Sequence, residues 1–188
     1  LIPFQKPGDP PVTKPNHMIG NLIAASTRLG LGYAERLITG VDAVQFARFA
    51  TAGDTVVESN HPCFILGHLS LYAPRVVKEL GGDASSIQPS EAFDKLFNHD
   101  AKCTDDVDGT LYPGMDEVVA AFRNGHEKAI EILEQSADER FYPENPNEAM
   151  RAKFPTIGAM HAFYLGGHVM MHMGQLSAWR RMMGLGAA

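Results

Sequence analysis

The chain has 188 residues, 45% of them hydrophobic and 20% charged, with a formal net charge of −6. That length is ample for one core and small for two, and the composition is that of an ordinary globular protein. A basic nucleic-acid surface or a face for anionic lipid is excluded, because Lys and Arg are scattered and only Arg180 and Arg181 are adjacent.

Residues 1–15 carry Pro3, Pro7, Pro10, Pro11 and Pro15, a density that forbids helix and favours an extended, polyproline-like arm. From residue 16 to residue 188 the chain reads as a single domain. Met18, Leu22, Ala25, Leu29, Tyr33 and Leu37 recur at steps of three and four, which predicts a first long helix with Asn16 as N-cap and an end near Thr39-Gly40. A short amphipathic piece over Asp42 to Ala50 is expected to follow, with Phe46 and Phe49 as its apolar contacts.

Ser59-Asn60-His61-Pro62 is a helix start signal, and the second helix runs from it to Leu80 before Gly81-Gly82. Ile65, Leu69, Tyr72, Val76 and Leu80 form its inward stripe, with His68 at one edge. Pro74 inside this span predicts a kink or an early end near Ala73. Between Asp83 and Pro113 the sequence is polar and broken, with one short helix expected over Ser90 to Phe97. Its acidic run, Asp105, Asp106 and Asp108, lacks the remaining ligands and closing Glu of a calcium loop and is expected to be a solvated loop.

The third long helix is predicted over Met115 to Ser136, with Val118, Val119, Phe122, His126, Ala129, Ile130 and Leu133 inward and Glu127, Lys128, Glu131 and Glu134 facing water. A second long loop covers Asp138 to Pro155. No segment alternates at period two for long enough to predict a strand. The expected fold is all-α, a four-helix bundle.

The fourth helix, Ala159 to Gly184, carries the chemistry. At about 100° per residue, His161, Leu165, His168, His172, Leu176, Trp179 and Met183 share one stripe. His168 and His172, at i and i+4, are neighbours on an otherwise apolar face, so both rings can converge on one ion. Two core histidines bonded to carbonyls or water would explain the pair equally well. The best third ligand is His68 on the second helix. His61 lies two turns from His68, roughly 10 Å, too far to bind the same ion, and His161 is removed as a partner of His168 in the same way.

Phe64-Ile65-Leu66-Gly67-His68-Leu69 and His168-Val169-Met170-Met171-His172-Met173-Gly174-Gln175-Leu176, on the second and fourth helices, resemble the DinB-like (YfiT-type) superfamily from about Asn16 to Gly184. The resemblance implies a four-helix bundle in up-down-down-up order that binds a divalent metal through His68, His168 and His172. Phe64 and Met173 depart from it, standing where many relatives have Trp and Arg, and both long loops are longer than the family suggests. In the implied topology His126 lies at a depth comparable to His68, as a second base or substrate contact or simply as core. Gln175, one turn beyond His172, would orient a ligand ring or cap the edge of the interface. Cys63 is expected to be packing, and Cys103 has no cationic cluster to lower its pKa.

Three imidazoles on one ion leave coordination positions open, as in catalytic sites, whereas structural zinc is closed by four protein ligands. The resemblance implies a transferase or isomerase that uses a low-molecular-weight thiol such as bacillithiol, mycothiol or glutathione, or else a metal-dependent hydrolase. Thiol transfer is favoured, because no carboxylate base stands near the ligands in the sequence. The opposing expectation is a non-catalytic bundle whose metal staples two helices and whose surfaces bind partners. Zinc, nickel, iron and manganese all accept imidazole. A homodimer is expected from the family, and a reducing cytoplasm fits two cysteines without a CxxC.

Overall fold

A computed structural model describes residues 16–188; the expected N-terminal arm lies outside the described residues. The described residues are mostly helical, with one two-stranded hairpin among them. Helix α1 (Met18–Ile38) buries Ile23, Ala24, Thr27, Ala34 and Leu37 on one face. Its start differs from the expectation at Asn16: His17 is the N-cap residue and its side chain makes no cap bond. The Asp138 carboxylate, far along the chain, accepts from the Ile19 amide at 2.8 Å instead. Local sequence cannot announce a cap supplied by tertiary contact.

The short amphipathic piece expected over Asp42 to Ala50 is not regular helix. Turns occupy that stretch and lead into β1 (Ala50–Ala52), which pairs antiparallel with β2 (Thr55–Val57), Ala50 opposite Val57. Gly53 takes φ of +60° in the two-residue link, and Gly53-Asp54 ahead of Thr55-Val56-Val57 is the hairpin signal that period-two counting is too coarse to register over three residues.

The predicted second helix is two: α2 (Pro62–Ser70) and α3 (Ala73–Glu79), divided at Leu71-Tyr72 with Pro74 in the first turn of α3. The break falls where Pro74 implied it, since Pro tolerates only the first turn. All nine residues of α2 are buried, so it runs through the middle of the structure. His61 caps it, its Nδ1 accepting from the Phe64 amide at 3.2 Å. Helix α4 (Glu91–Phe97) follows, with the Ser90 hydroxyl accepting from the Phe93 amide.

Two carboxylates of the acidic run are structural where a solvated loop was expected, while Asp108 is exposed as expected. Asp106 is 4% exposed, and its carboxylate accepts from the amides of Thr110, Leu111 and Tyr112. Asp105 accepts from Arg48 and from the Phe49 amide. Both carboxylates are spent on folding the loop, and neither is arranged for calcium.

Helix α5 (Met115–Gln135) has the predicted inward face, with Val119 only partly covered. The last long helix begins earlier than expected and is not uniform. It comprises α6 (Ile157–Ala162), a π-helical turn over Phe163–Gly167, and α7 (His168–Met182). Helix α1 packs against α5 and α7, α5 also against α2 and α3, and α7 against α2. One apolar cluster gathers Phe64, Phe97, Phe122, Leu176 and Trp179; another gathers Ile23, Val76, Leu133, Met160 and Leu165. Among the described residues no helix is long and apolar enough to cross a membrane.

Candidate metal centre

His68, His168 and His172 come together from α2 and α7, each offering one nitrogen, with these atoms within 4.8 Å of one another. All three rings are buried, at 8%, 6% and 6% exposure. His168 Nε2 and His172 Nε2 are 3.1 Å apart, and the His68 ring lies 5.1 Å from that of His168 and 5.3 Å from that of His172.

The proton on two of these rings is fixed from behind. His68 Nδ1 donates to the Phe97 carbonyl at 2.7 Å. His172 Nδ1 donates to Gln175 Oε1 at 2.8 Å, and the same oxygen accepts from Asn60 Nδ2 at 3.2 Å. Since a carbonyl oxygen only accepts, each ring holds its proton on Nδ1 and turns the Nε2 lone pair toward the centre. Gln175 therefore stands behind the His172 ring, one of the two positions that its spacing left open. Phe97 and Asn60 were not foreseen, because a backbone carbonyl leaves no trace in residue identity.

Electrostatics favour neutral imidazole. Burial, with the neighbouring His172 and His68, pushes the His168 pKa down to about 3. Burial also lowers His68 and His172, against the opposing pull of the Phe97 and Gln175 hydrogen bonds. Neutral nitrogens are the form that binds metal.

Those features fit a divalent ion. Three imidazole nitrogens converge in a buried space, where they contact one another and the Tyr72 hydroxyl with no carboxylate among the described residues joining them, and His168 Nδ1 is buried without a hydrogen-bond partner among the described residues. Among the described residues the cluster lacks the carboxylate and carbonyl oxygens that calcium or magnesium prefers, whereas an all-imidazole donor set suits zinc, nickel, iron or manganese.

Tyr72 adds a group that the sequence reading took as apolar stripe. Its hydroxyl lies 3.2 Å from His68 Nε2, and its ring is 4.8 Å from both His168 and Tyr164. Burial raises its pKa, so the hydroxyl keeps its proton and donates it to His68. The spacing from His68 to Tyr72, one helical turn, was the available signal. A cleft of about 700 Å³ opens beside these rings, lined by Tyr72, Arg75, Phe163, Tyr164 and His168, with Asp94, His99 and Asp100 at its exposed lip.

The remaining histidines are accounted for elsewhere. His126 Nδ1 bonds the Phe122 carbonyl at 2.8 Å and its ring lies 4.2 Å from that of Phe122; among the described residues no hydrogen bond or ring contact joins it to the three histidines, so the structure does not bring it to the centre. His61 holds the Thr104 carbonyl through Nε2, and His161 Nε2 meets Glu79 Oε2 at 2.7 Å. Burial pushes the Cys63 thiol up to about 12 and that of Cys103 up to about 11, which leaves both unreactive near neutral pH.

Comparison of the chain with protein-family models, with curated proteins and with solved structures finds no match.

Proposed function

We propose that the chain is a metal-dependent enzyme of DinB-like type, a bundle of four long helical stretches in up-down-down-up order that uses His68, His168 and His172 to hold one divalent transition metal. The observation that carries this is three buried, neutral histidines converging beside a cleft that reaches one of them. A metal serving only as a staple needs a sealed core or a fourth protein ligand; the cleft opens onto His168, and the Tyr72 hydroxyl is a further group in contact with the cluster.

An ion held by three imidazoles supplies Lewis acidity, lowering the pKa of a water or thiol presented to it. The protein's own residues prepare the place. Phe97 and Gln175 orient the rings and set their tautomers, burial keeps them unprotonated, and Tyr72 offers a hydroxyl beside His68. Among the described residues no Asp or Glu joins the cluster, and the carboxylates that line the cleft, Asp94 and Asp100, are exposed at its lip. That absence of a buried base supports an S-transferase or isomerase using a low-molecular-weight thiol over a hydrolase. A cytoplasmic homodimer acting on a small molecule completes the proposal; the net charge of −6 counts against direct action on nucleic acid.

The test is metal content after purification without an affinity tag, for wild type and His172→Ala. About one equivalent of a transition metal, lost in the variant, is the expected outcome for a three-ligand site. A wild-type chain that takes up no zinc, nickel or manganese at neutral pH overturns the proposal.

A further inference from the structure

The cleft beside the histidines is also lined by a cation, Arg75, that has no counter-ion among the described residues. Arg75 stands in α3, three residues beyond Tyr72, and lines the cleft with Tyr72, Tyr164 and His168. Its Nη1 donates to the Tyr164 hydroxyl at 3.0 Å, and the guanidinium lies 5.6 Å from the centre of that ring. Tyr164 is 4% exposed, so the arginine is anchored on a buried group. Among the described residues no carboxylate lies within ion-pair distance of Arg75. A guanidinium carries five N–H donors in a planar fork, and among the described residues only Nη1 has a partner.

Arg75 is joined to the histidines by continuous contact. The Tyr164 and Tyr72 rings are 4.8 Å apart, the Tyr72 and His168 rings are 4.8 Å apart, and the Tyr72 hydroxyl touches His68 Nε2 at 3.2 Å. One wall of the cleft is thus cationic at one end, aromatic in the middle and imidazole at the other end. The lip is different: Asp100 Oδ1 lies 3.4 Å from His99 Nε2, and the Asp94 carboxylate accepts from Asn98 Nδ2 at 3.5 Å.

We propose that this cleft binds a small organic monocarboxylate, its carboxylate on the free edge of Arg75 and its body along Tyr72 and Tyr164 toward His168. The inference rests on the catalytic reading of the histidine centre and names the class of its substrate. A planar carboxylate matches the fork of a single arginine. A phosphate dianion would bring a second negative charge into a cleft that has one unpaired cation and two aspartates at its lip.

The experiment is a binding titration on the zinc-loaded chain with three probes of similar size: 3-mercaptopropionate, its neutral amide, and 2-mercaptoethylphosphonate. Wild type, Arg75→Gln and Arg75→Lys are compared, with zinc content measured in each. The expected result is a Kd about tenfold lower for the carboxylate than for the amide in wild type, as loss of a charge-assisted hydrogen bond implies. In Arg75→Gln the two probes should bind within about twofold of each other with zinc retained, and Arg75→Lys should restore part of the preference. A carboxylate preference that survives Arg75→Gln, or its absence in wild type, or tighter binding of the phosphonate, overturns the proposal while leaving the metal centre standing. If wild type binds no zinc, the metal reading fails separately; propionate and propionamide titrated into the same chain and the same variants by NMR then decide the carboxylate site.

Discussion

His68 Nδ1 donates to the carbonyl of Phe97 at 2.7 Å, which ties the histidine of α2 to the last residue of α4. The bond exists because α4 lies directly against α2. That approach needs Gly67: a Cβ there would stand 2.5 Å from the Phe97 ring. The glycine beside the histidine is therefore what lets a backbone oxygen 29 residues away fix the ring.

Gly67→Ala should displace Phe97 and loosen the His68 ring. Overpacking of this kind costs about 1–3 kcal/mol. Denaturation followed by the fluorescence of Trp179, the only tryptophan, should show the loss, and a competitive zinc titration should show weaker binding. Unchanged zinc affinity would mean that the Phe97 carbonyl does not position the ligand.

Gln175→Leu should weaken metal binding by about 10- to 100-fold, the usual consequence of removing a group that orients a ligand imidazole. Gln175→Glu keeps an acceptor for His172 Nδ1 and should retain most of the affinity. A Leu variant that binds as tightly as wild type would show that packing alone holds the ring.

His126 gives a pH prediction. Burial pushes its pKa down to about 4 from 6.5, so between those values the unfolded chain holds a proton that the folded chain does not. The stabilisation is complete above pH 6.5 and falls as pH drops toward 4, by roughly 3 kcal/mol in all. His61, lowered to about 4 by burial, acts in the same direction. In His126→Leu, urea midpoints measured from pH 7.5 to 4.5 should fall less steeply than in wild type. Because His126 Nε2 is buried without a partner, the variant should lie within about 1 kcal/mol of wild type at pH 7. Parallel curves would remove His126 as the source.

Arg180 is 8% exposed and donates to the carbonyls of Leu37, Thr39 and Leu185. It closes the C-terminal end of α1 from α7. Arg180→Met keeps much of the bulk but leaves those carbonyls unpaired, and should cost about 2–4 kcal/mol. Equilibrium unfolding would reveal it, with zinc stoichiometry unchanged.

Much of the framework could be read from residue order. The periodicity of Met18 to Leu37 and of Val118 to Leu133, the break at Pro74, and the pairing of His168 with His172 all appear in the structure because each rests on local spacing. The hairpin at Ala50–Val57 was missed because three-residue strands offer too few residues for a period. Asp138 as the cap of α1, Phe97 behind His68, and Asp106 folding its own loop are tertiary or backbone partnerships. Identity and spacing carry no record of them. Tyr72, half-buried in the structure, was legible as inward-facing but not as a polar neighbour of His68, since its stripe position is the same for either.

The π-turn at Phe163–Gly167 sets the last helix apart. A turn of this kind holds one residue more than the α-helix around it would accommodate, and here it lies immediately before His168. Gly166 within it lies so close to α1 that a Cβ would stand 2.9 Å from the Ser26 hydroxyl. Deleting one residue from the turn would leave an ordinary helix and swing everything after it by about 100° relative to α6, carrying His168 and His172 away from His68 with every ligand still encoded. The centre thus depends on counting as well as on composition: a descendant of this chain could lose its site through a three-nucleotide deletion that touches no histidine.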